Sequence, residues 1–253
     1  MNKILFRILS YLQYYWNART DMYIHSSFIF QWYQHIQQNI EASDSEKITI
    51  YRDKLHRHQG NIHLAESQST IAISERYHQT SISPFYGEVL YQTARYLHAR
   101  NFLELGTSLG VSTLYLATSS VDICGVSIDR SQSSLDVIAL ADDAHYFQKI
   151  KFICDDFRSA LPRIIDTSDK FDLVYIDGDH SYQSTIDNID KIIPHLTPNA
   201  AIILDDIRWS RDMYRAWKQV QSYPIFMYTI DFGRIGILFT HSHTTEKQDF
   251  ILK

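Results

Sequence analysis

The sequence predicts an α/β fold: a doubly wound, mostly parallel sheet of seven strands that ends in an antiparallel hairpin and is preceded by a helical layer. Three observations predict it. From residue 101 onward, short apolar runs alternate with amphipathic segments, and strands covered by helices on both faces read as such unbroken runs. The last two runs, PIFMYTID and RIGILFTH, are joined through Asp231-Phe232-Gly233, a turn so short that the two strands must pair antiparallel. Residues 1–95 are instead rich in Tyr, Gln, His and Ser, without that alternation.

The elements follow in order. At the N-terminus, Ile4, Leu5, Ile8, Leu9, Leu12 and Trp16 share one helical face. SSFIFQWYQHIQQNIEA and SPFYGEVLYQTARYLHA read as helices, the second with Ser83 as N-cap and Pro84 at the first helical position. Residues 44–80 between them are polar, with a basic stretch at KLHRH (54–58) expected to be a solvated face. NFLEL (101–105) is the first strand, followed by GTSLG and a helix through STLYLATSS. VDICGVSID (121–129), KIKFICDD (149–156), FDLVYID (171–177) and NAAIILDD (199–206) are the next four. Each is followed by a helix, the last being SRDMYRAWKQV, with Met213, Ala216 and Trp217 on its packing face. The expected organisation is a helical cap or oligomerisation region over 1–95 and the α/β domain over 96–253.

Composition excludes some classes. The chain has 253 residues, 45% hydrophobic and 21% charged, enough to bury a sizeable core. A net charge of -5 gives no reason to expect nucleic acid as a partner. No apolar run reaches the roughly 18 residues that span a bilayer, because Arg7, Ser10 and Gln13 interrupt the N-terminal one. The expectation is a cytoplasmic protein without membrane association, whose N-terminal helices pack on the protein or form a homodimer. Cys124 and Cys154 each lie in an apolar run and are expected to be buried, reduced thiols.

Ligands of such sheets bind at the carboxyl ends of the strands. Here those ends carry Glu104, Asp129, Asp155-Asp156, Asp177, Asp179 and Asp205-Asp206. So many carboxylates on one rim repel one another unless donors or cations offset them. In FLELGTSLGVST, Glu104, Gly106 and Gly110 form an E-x-G-x-x-x-G pattern between strand and helix. The glycines permit a tight turn and close ligand approach. The spacing differs from the G-x-G-x-x-G dinucleotide fingerprint, which argues against a nicotinamide-dependent oxidoreductase.

This pattern resembles motif I of the class I S-adenosylmethionine-dependent methyltransferases, which have a Rossmann-like sheet. The resemblance implies that Glu104, Gly106, Thr107, Ser108 and Gly110 lie beneath the amino-acid and ribose portions of the cofactor. The family's ribose acid at the end of the second strand falls on Ser127, and Asp129 two residues later shares its face. Asp155 matches the acid near the adenine amino group, with Asp156 or Phe157 beside the ring; Asp156 is equally suited to cap the next helix.

VYIDGDHSY and NAAIILDDIRW end neighbouring strands, so Asp177, Asp205 and Asp206 are expected to face one cavity. The IDGD…DD pattern is similar to that of metal-dependent small-molecule O-methyltransferases of the catechol and sugar-modifying kinds. That likeness implies Asp177, Asp205 and Asp206 as ligands of a divalent metal, Mg2+ by expectation, with Asp177 also near the cofactor. It implies Asp179 as the base that deprotonates an acceptor hydroxyl. His180, with a pKa suited to proton transfer near neutral pH, is the other candidate. Tyr175, Tyr182, Trp209 and Tyr214 are candidate walls for a small-molecule acceptor. Two alternatives stay open: metal-free transfer to nitrogen or a protein side chain, and a non-catalytic member that binds cofactor or partner.

Overall fold

The computed structural model describes residues 3–39, 45–64, 68–166, 170–240 and 246–253. The chain groups into two compact units, residues 1–35 with 161–253, and residues 36–160. The fold is the expected mixed α/β arrangement of parallel strands and helices, with antiparallel strands toward the C-terminus.

The N-terminus forms α1 (Lys3–Asn17) and α2 (Ser27–Asn39); the predicted continuation of α2 through 40–42 lies outside the described residues. Then come α3 (Ser45–Arg57), β1 (Asn61–Leu64), β2 (Ser69–Ala72), α4 (Ile73–Thr80) and α5 (Pro84–Tyr96). The small antiparallel β1–β2 hairpin is an addition to the helical layer that the sequence predicts. Ser83 and Pro84 occupy the expected cap and first positions of α5, although the Ser83 side chain makes no capping hydrogen bond. In the basic stretch, Lys54 pairs with Asp143 and Arg57 with Asp53.

The unit of residues 36–160 is built on β3 (Asn101–Leu105), α6 (Val111–Ala117), β4 (Cys124–Asp129), α7 (Gln132–Ala141) and β5 (Ile150–Cys154). β3 pairs parallel with β4, and β4 with β5. β5 is an edge strand, and this corrects one expectation. Cys154, at the end of β5, and Cys124, at the start of β4, are free but exposed rather than buried. An apolar run predicts burial only where neighbours cover both faces; Cys154 is the last residue of the edge strand and Cys124 the first residue of β4, and both strand ends lie open.

The chain continues through α8 (Phe157–Ile165), β6 (Phe171–Ile176), α9 (Tyr182–Ile192), β7 (Leu196–Leu204), α10 (Arg211–Gln221), β8 (Tyr228–Phe232), β9 (Ile235–Phe239) and β10 (Gln248–Ile251). In this unit the strand order is β10-β8-β9-β7-β6. β6 and β7 are parallel, and β9 runs antiparallel to both β7 and β8. The β8–β9 hairpin turns at Gly233, whose φ of 78° suits such a turn. Gly236 lets the Trp217 ring approach β9, since a Cβ there would lie 2.6 Å from it. Met213, Ala216 and Trp217 are buried as predicted. β10 is an unpredicted strand, parallel to β8.

One face of α1 docks on this unit. The Tyr14 hydroxyl donates to the Leu252 carbonyl at 2.6 Å, and Phe6 meets the Tyr214 ring edge-on. The Arg208 guanidinium, itself buried, donates to the Ser10 carbonyl and to both oxygens of Asp231. Among the described residues, no helix is long and apolar enough to cross a membrane.

Candidate active site

Two groups of side chains, one in each unit, carry the predicted chemistry. The first surrounds the turn after β3. Gly106 and Gly110 have φ of 107° and 72°, and Ser108 between them has φ of 46°, so three residues of the turn are left-handed. For the non-glycine Ser108 this costs energy that local hydrogen bonds offset. Asp129 provides one: its carboxylate accepts from the Ser108 N–H at 2.7 Å and from the Ser131 N–H at 2.8 Å. The end of β4 thus clamps the turn and the start of α7 together.

Glu104 is fully buried. It accepts hydroxyl hydrogen bonds from Ser112 at 2.6 Å, from Ser127 at 2.5 Å and from Thr113. Burial raises its carboxyl from 4.5 to about 7, against the opposing effect of those hydroxyls. Thr107 hydrogen-bonds Ser127. Ser127 therefore serves the interior of the turn, while Asp129 holds its backbone. Two contacts from the helical region brace the turn further. The Tyr51 hydroxyl of α3 donates to the Leu109 carbonyl at 2.9 Å, and Thr80 of α4 hydrogen-bonds Ser108 at 2.7 Å.

At the end of β5, Asp155 is half-buried and accepts from the Asp156 N–H. Asp156 is exposed and caps α8, accepting from the Ser159 N–H and hydroxyl at 2.9 Å each. Those bonds hold its carboxyl below the ordinary value. Phe157 is the first residue of α8 and half-buried.

The second group follows β6 and β7. Ligand atoms of Asp177, His180 and Asp206 lie within 4.8 Å of one another. His180 Nε2 is 3.6 Å from Asp177 Oδ1. Burial raises the Asp206 carboxyl, and the Asp205 charge adds to this; Arg234, His180 and Arg7 oppose it. Asp205 itself is fully buried and lies outside that group. Its two oxygens accept from Arg234 Nε and Nη2 at 2.7 Å each, and Tyr175 donates to it at 2.8 Å. The same Arg234 Nε lies 3.2 Å from Asp206 Oδ1. The expected triad of aspartates is therefore not what comes together: His180 stands where Asp205 was expected, and an arginine fork neutralises Asp205.

Asp179 is exposed, with φ of 61°, and His180 and Asp206 are also left-handed, at 25° and 51°. These bends turn the strand ends sharply into their loops. Ser181 and Ser210, rather than the aspartates, cap α9 and α10. Of the four candidate aromatic walls, Trp209 stands by the group, its ring centroid 6.0 Å from that of His180. Lys3 and Arg7 of α1 stack over the same ring at 4.0 and 4.6 Å. Tyr175 is core, Tyr182 bonds Gln219, and Tyr214 packs on Phe6 and Arg208.

Comparison with solved structures shows the fold. The O-methyltransferase TomG from Streptomyces achromogenes, solved in complex with SAM, is 18% identical with a TM-score of 0.56, covering 64% of this chain and 82% of its own. An O-methyltransferase from Bacillus cereus in complex with SAH is also 18% identical, TM-score 0.56, covering 81% and 96%. The SAH-bound Podospora anserina methyltransferase PaMTH1 is 15% identical, TM-score 0.54, covering 78% and 95%. Residues 103–207 match the family model described as a methyltransferase domain. That segment is therefore similar to a methyltransferase domain. No curated protein matches the chain.

The matched segment takes in every predicted cofactor, metal and base residue, from Glu104 to Asp206. Sequence reasoning missed Arg7, Tyr51, Thr80 and Arg234, all outside that segment. No local pattern marks any of them, because each acts through a contact distant in the chain.

Proposed function

We propose that the methyltransferase domain transfers a methyl group from S-adenosylmethionine to an oxygen of a small hydroxylated molecule, with a divalent metal assisting. The observation that carries this reading is the left-handed turn at Gly106, Ser108 and Gly110, clamped by Asp129. Its curled backbone suits a ligand that approaches the main chain closely. The end of β5 adds the half-buried Asp155 carboxylate, an acceptor for amino or hydroxyl groups. These residues fit the cofactor, which supplies an activated methyl on a sulfonium. What the chain contributes is alignment of that methyl with the acceptor.

For the acceptor, His180 beside Asp177 is the better-supported base in the metal-free reading, since an imidazole nitrogen that holds a metal does not also take a proton. The aspartate, 3.6 Å away, orients the imidazole. Asp179, exposed and outside the group, remains the alternative. Asp177, His180 and Asp206 suit a divalent cation, two carboxylates and an imidazole being common donors. A metal there lowers the pKa of a bound hydroxyl. One imidazole makes this set softer than three carboxylates, so Mn2+ and Zn2+ belong beside Mg2+ in any test. A metal-free reading is favoured by Arg234, which already offsets Asp205 and reaches Asp206.

The test is calorimetric titration of S-adenosylhomocysteine into the protein, with each metal and with excess chelator. Micromolar binding is expected in both conditions, with added heat from the metal that is lost in Asp177→Asn and Asp206→Asn. No binding in either condition refutes the cofactor assignment. Equal binding with and without metal, in wild type and both variants, selects the metal-free reading.

A further inference from the structure

Lys3 and Arg7 lie one turn apart on α1 and so share a face of that helix. Both stand over the Trp209 ring, the Lys3 ammonium 4.0 Å and the Arg7 guanidinium 4.6 Å from its centroid. Trp209 belongs to the turn that leaves β7. Its N–H donates to the Asp206 carbonyl at 2.8 Å, and its ring centroid is 6.0 Å from that of His180. Two cations therefore flank the group formed by Asp177, His180 and Asp206. We infer that Lys3 and Arg7 are the specificity residues of the acceptor site: the acceptor is a small hydroxy acid, its carboxylate held by these two cations and its hydroxyl facing the Asp177–His180–Asp206 group. This rests on the transfer reading above and names its substrate class.

The charge balance supports that role. Two other guanidinium groups of the same unit are matched, Arg208 by Asp231 and Arg234 by Asp205. Among the described residues, no carboxylate pairs with Lys3 or Arg7. Arg7 acts on Asp206 only as a charge at longer range. Docking of α1 is already provided by Tyr14, Phe6 and the Ser10 carbonyl. The aromatic ring holds both cations in place, so less side-chain freedom is lost when an anion arrives. The arginine fork matches a carboxylate in its plane, and the lysine adds a point charge.

Distance limits the size of the ligand. The two ring contacts together put the Lys3 ammonium no more than about 10 Å from the centre of the His180 ring. Hydrogen bonds of about 2.8 Å at either end leave room for one ring, or a short chain, between hydroxyl and carboxylate. A phosphate monoester fits less well, because its charge of nearly two would face Asp177 and Asp206.

Calorimetric titration of three acids, gallate, glucuronate and lactate, each against its own amide, tests the inference on protein saturated with S-adenosylhomocysteine. At least one acid is expected to bind at least about 10-fold more tightly than its amide, with the advantage shrinking as salt rises. Lys3→Gln and Arg7→Gln are each expected to weaken the acid at least about 5-fold, leaving the affinities for the amide and for S-adenosylhomocysteine unchanged; Arg7→Lys keeps the preference. Acids and amides that bind equally overturn the inference, as does a preference that survives in the double variant, or binding by no member of the three pairs. Variants that lower the melting temperature without changing the acid-to-amide ratio also overturn it, since the cations would then only dock α1. If S-adenosylhomocysteine itself does not bind, the transfer reading falls separately, and the same titrations on unloaded protein decide the anion site.

Discussion

Replacing Glu104 by Gln removes a carboxyl whose burial sets a clear pH dependence on stability. Glu104 is wholly enclosed, and burial carries it from 4.5 to about 7 although Ser112, Ser127 and Thr113 donate to it. The folded state therefore holds this proton more tightly than the unfolded state does. The stabilisation is fully present below pH 4.5 and is lost as pH rises through 7. That interval corresponds to about 3 kcal/mol. The unfolding free energy of wild type is expected to fall by that amount between pH 4.5 and 8, relative to Glu104→Gln, whose amide does not titrate. Urea unfolding of both proteins across this range measures it. Circular dichroism is the better probe, because Trp16, Trp32, Trp209 and Trp217 all lie in the other unit. Ser127→Ala removes a donor that favours the charge, so its transition moves to higher pH. A wild-type-minus-variant difference that stays flat across the range refutes the reasoning: Glu104 would then bind its proton no more tightly in the folded than in the unfolded state.

Three further outcomes follow from the geometry. Asp129→Ala removes two charge-assisted hydrogen bonds to the turn; a stability loss of about 3 kcal/mol and S-adenosylhomocysteine affinity weakened at least about 10-fold are expected, by urea melts and calorimetry. Gly110→Ala forces φ of 72° on an L-residue and sets a Cβ 3.1 Å from Ile138; a cost of about 1–2 kcal/mol is expected. Arg234→Gln leaves Asp205 buried without its partner, at a cost of about 3–5 kcal/mol. Adding Asp205→Asn is expected to recover part of this in a double-mutant cycle.

The parts of the fold legible in the sequence are those with a continuous local signal. β3 through β9 are mostly apolar runs, and β3 falls on the predicted residues 101–105. β1, β2 and β10 escaped because each is a four-residue strand with exposed or half-exposed positions, so no apolar run marks them. α3 escaped because SEKITIYRDKLHR buries few residues and reads as a polar connection. The site divides in the same way. The turn at Gly106–Gly110 was legible because its glycines must be there. Which of Asp205 and Asp206 faces inward was not, because adjacent residues diverge and a bend with Asp206 at φ 51° decides it.

The carboxylates at the strand ends pointed to a cation, on the argument that like charges repel. The structure offsets half of them singly. Glu104 has hydroxyl donors and a raised proton affinity, Asp129 has backbone N–H groups, Asp156 has a helix terminus, and Asp205 has Arg234. A count of acids therefore says little about metal; what bears on it is the charge remaining at Asp177 and Asp206 once Arg234 has acted. This gives a sharper test than removing the acids. In Arg234→Gln the local charge becomes more negative by one, so divalent cations are expected to bind more tightly and to raise the melting temperature more than in wild type. A metal present at 100 times its dissociation constant stabilises by about 2.7 kcal/mol. Thermal melts of both proteins against Mn2+, with chelator as the reference, measure the difference. A variant that responds no more than wild type would mean that Arg234 and a metal do not compete to neutralise the same carboxylates.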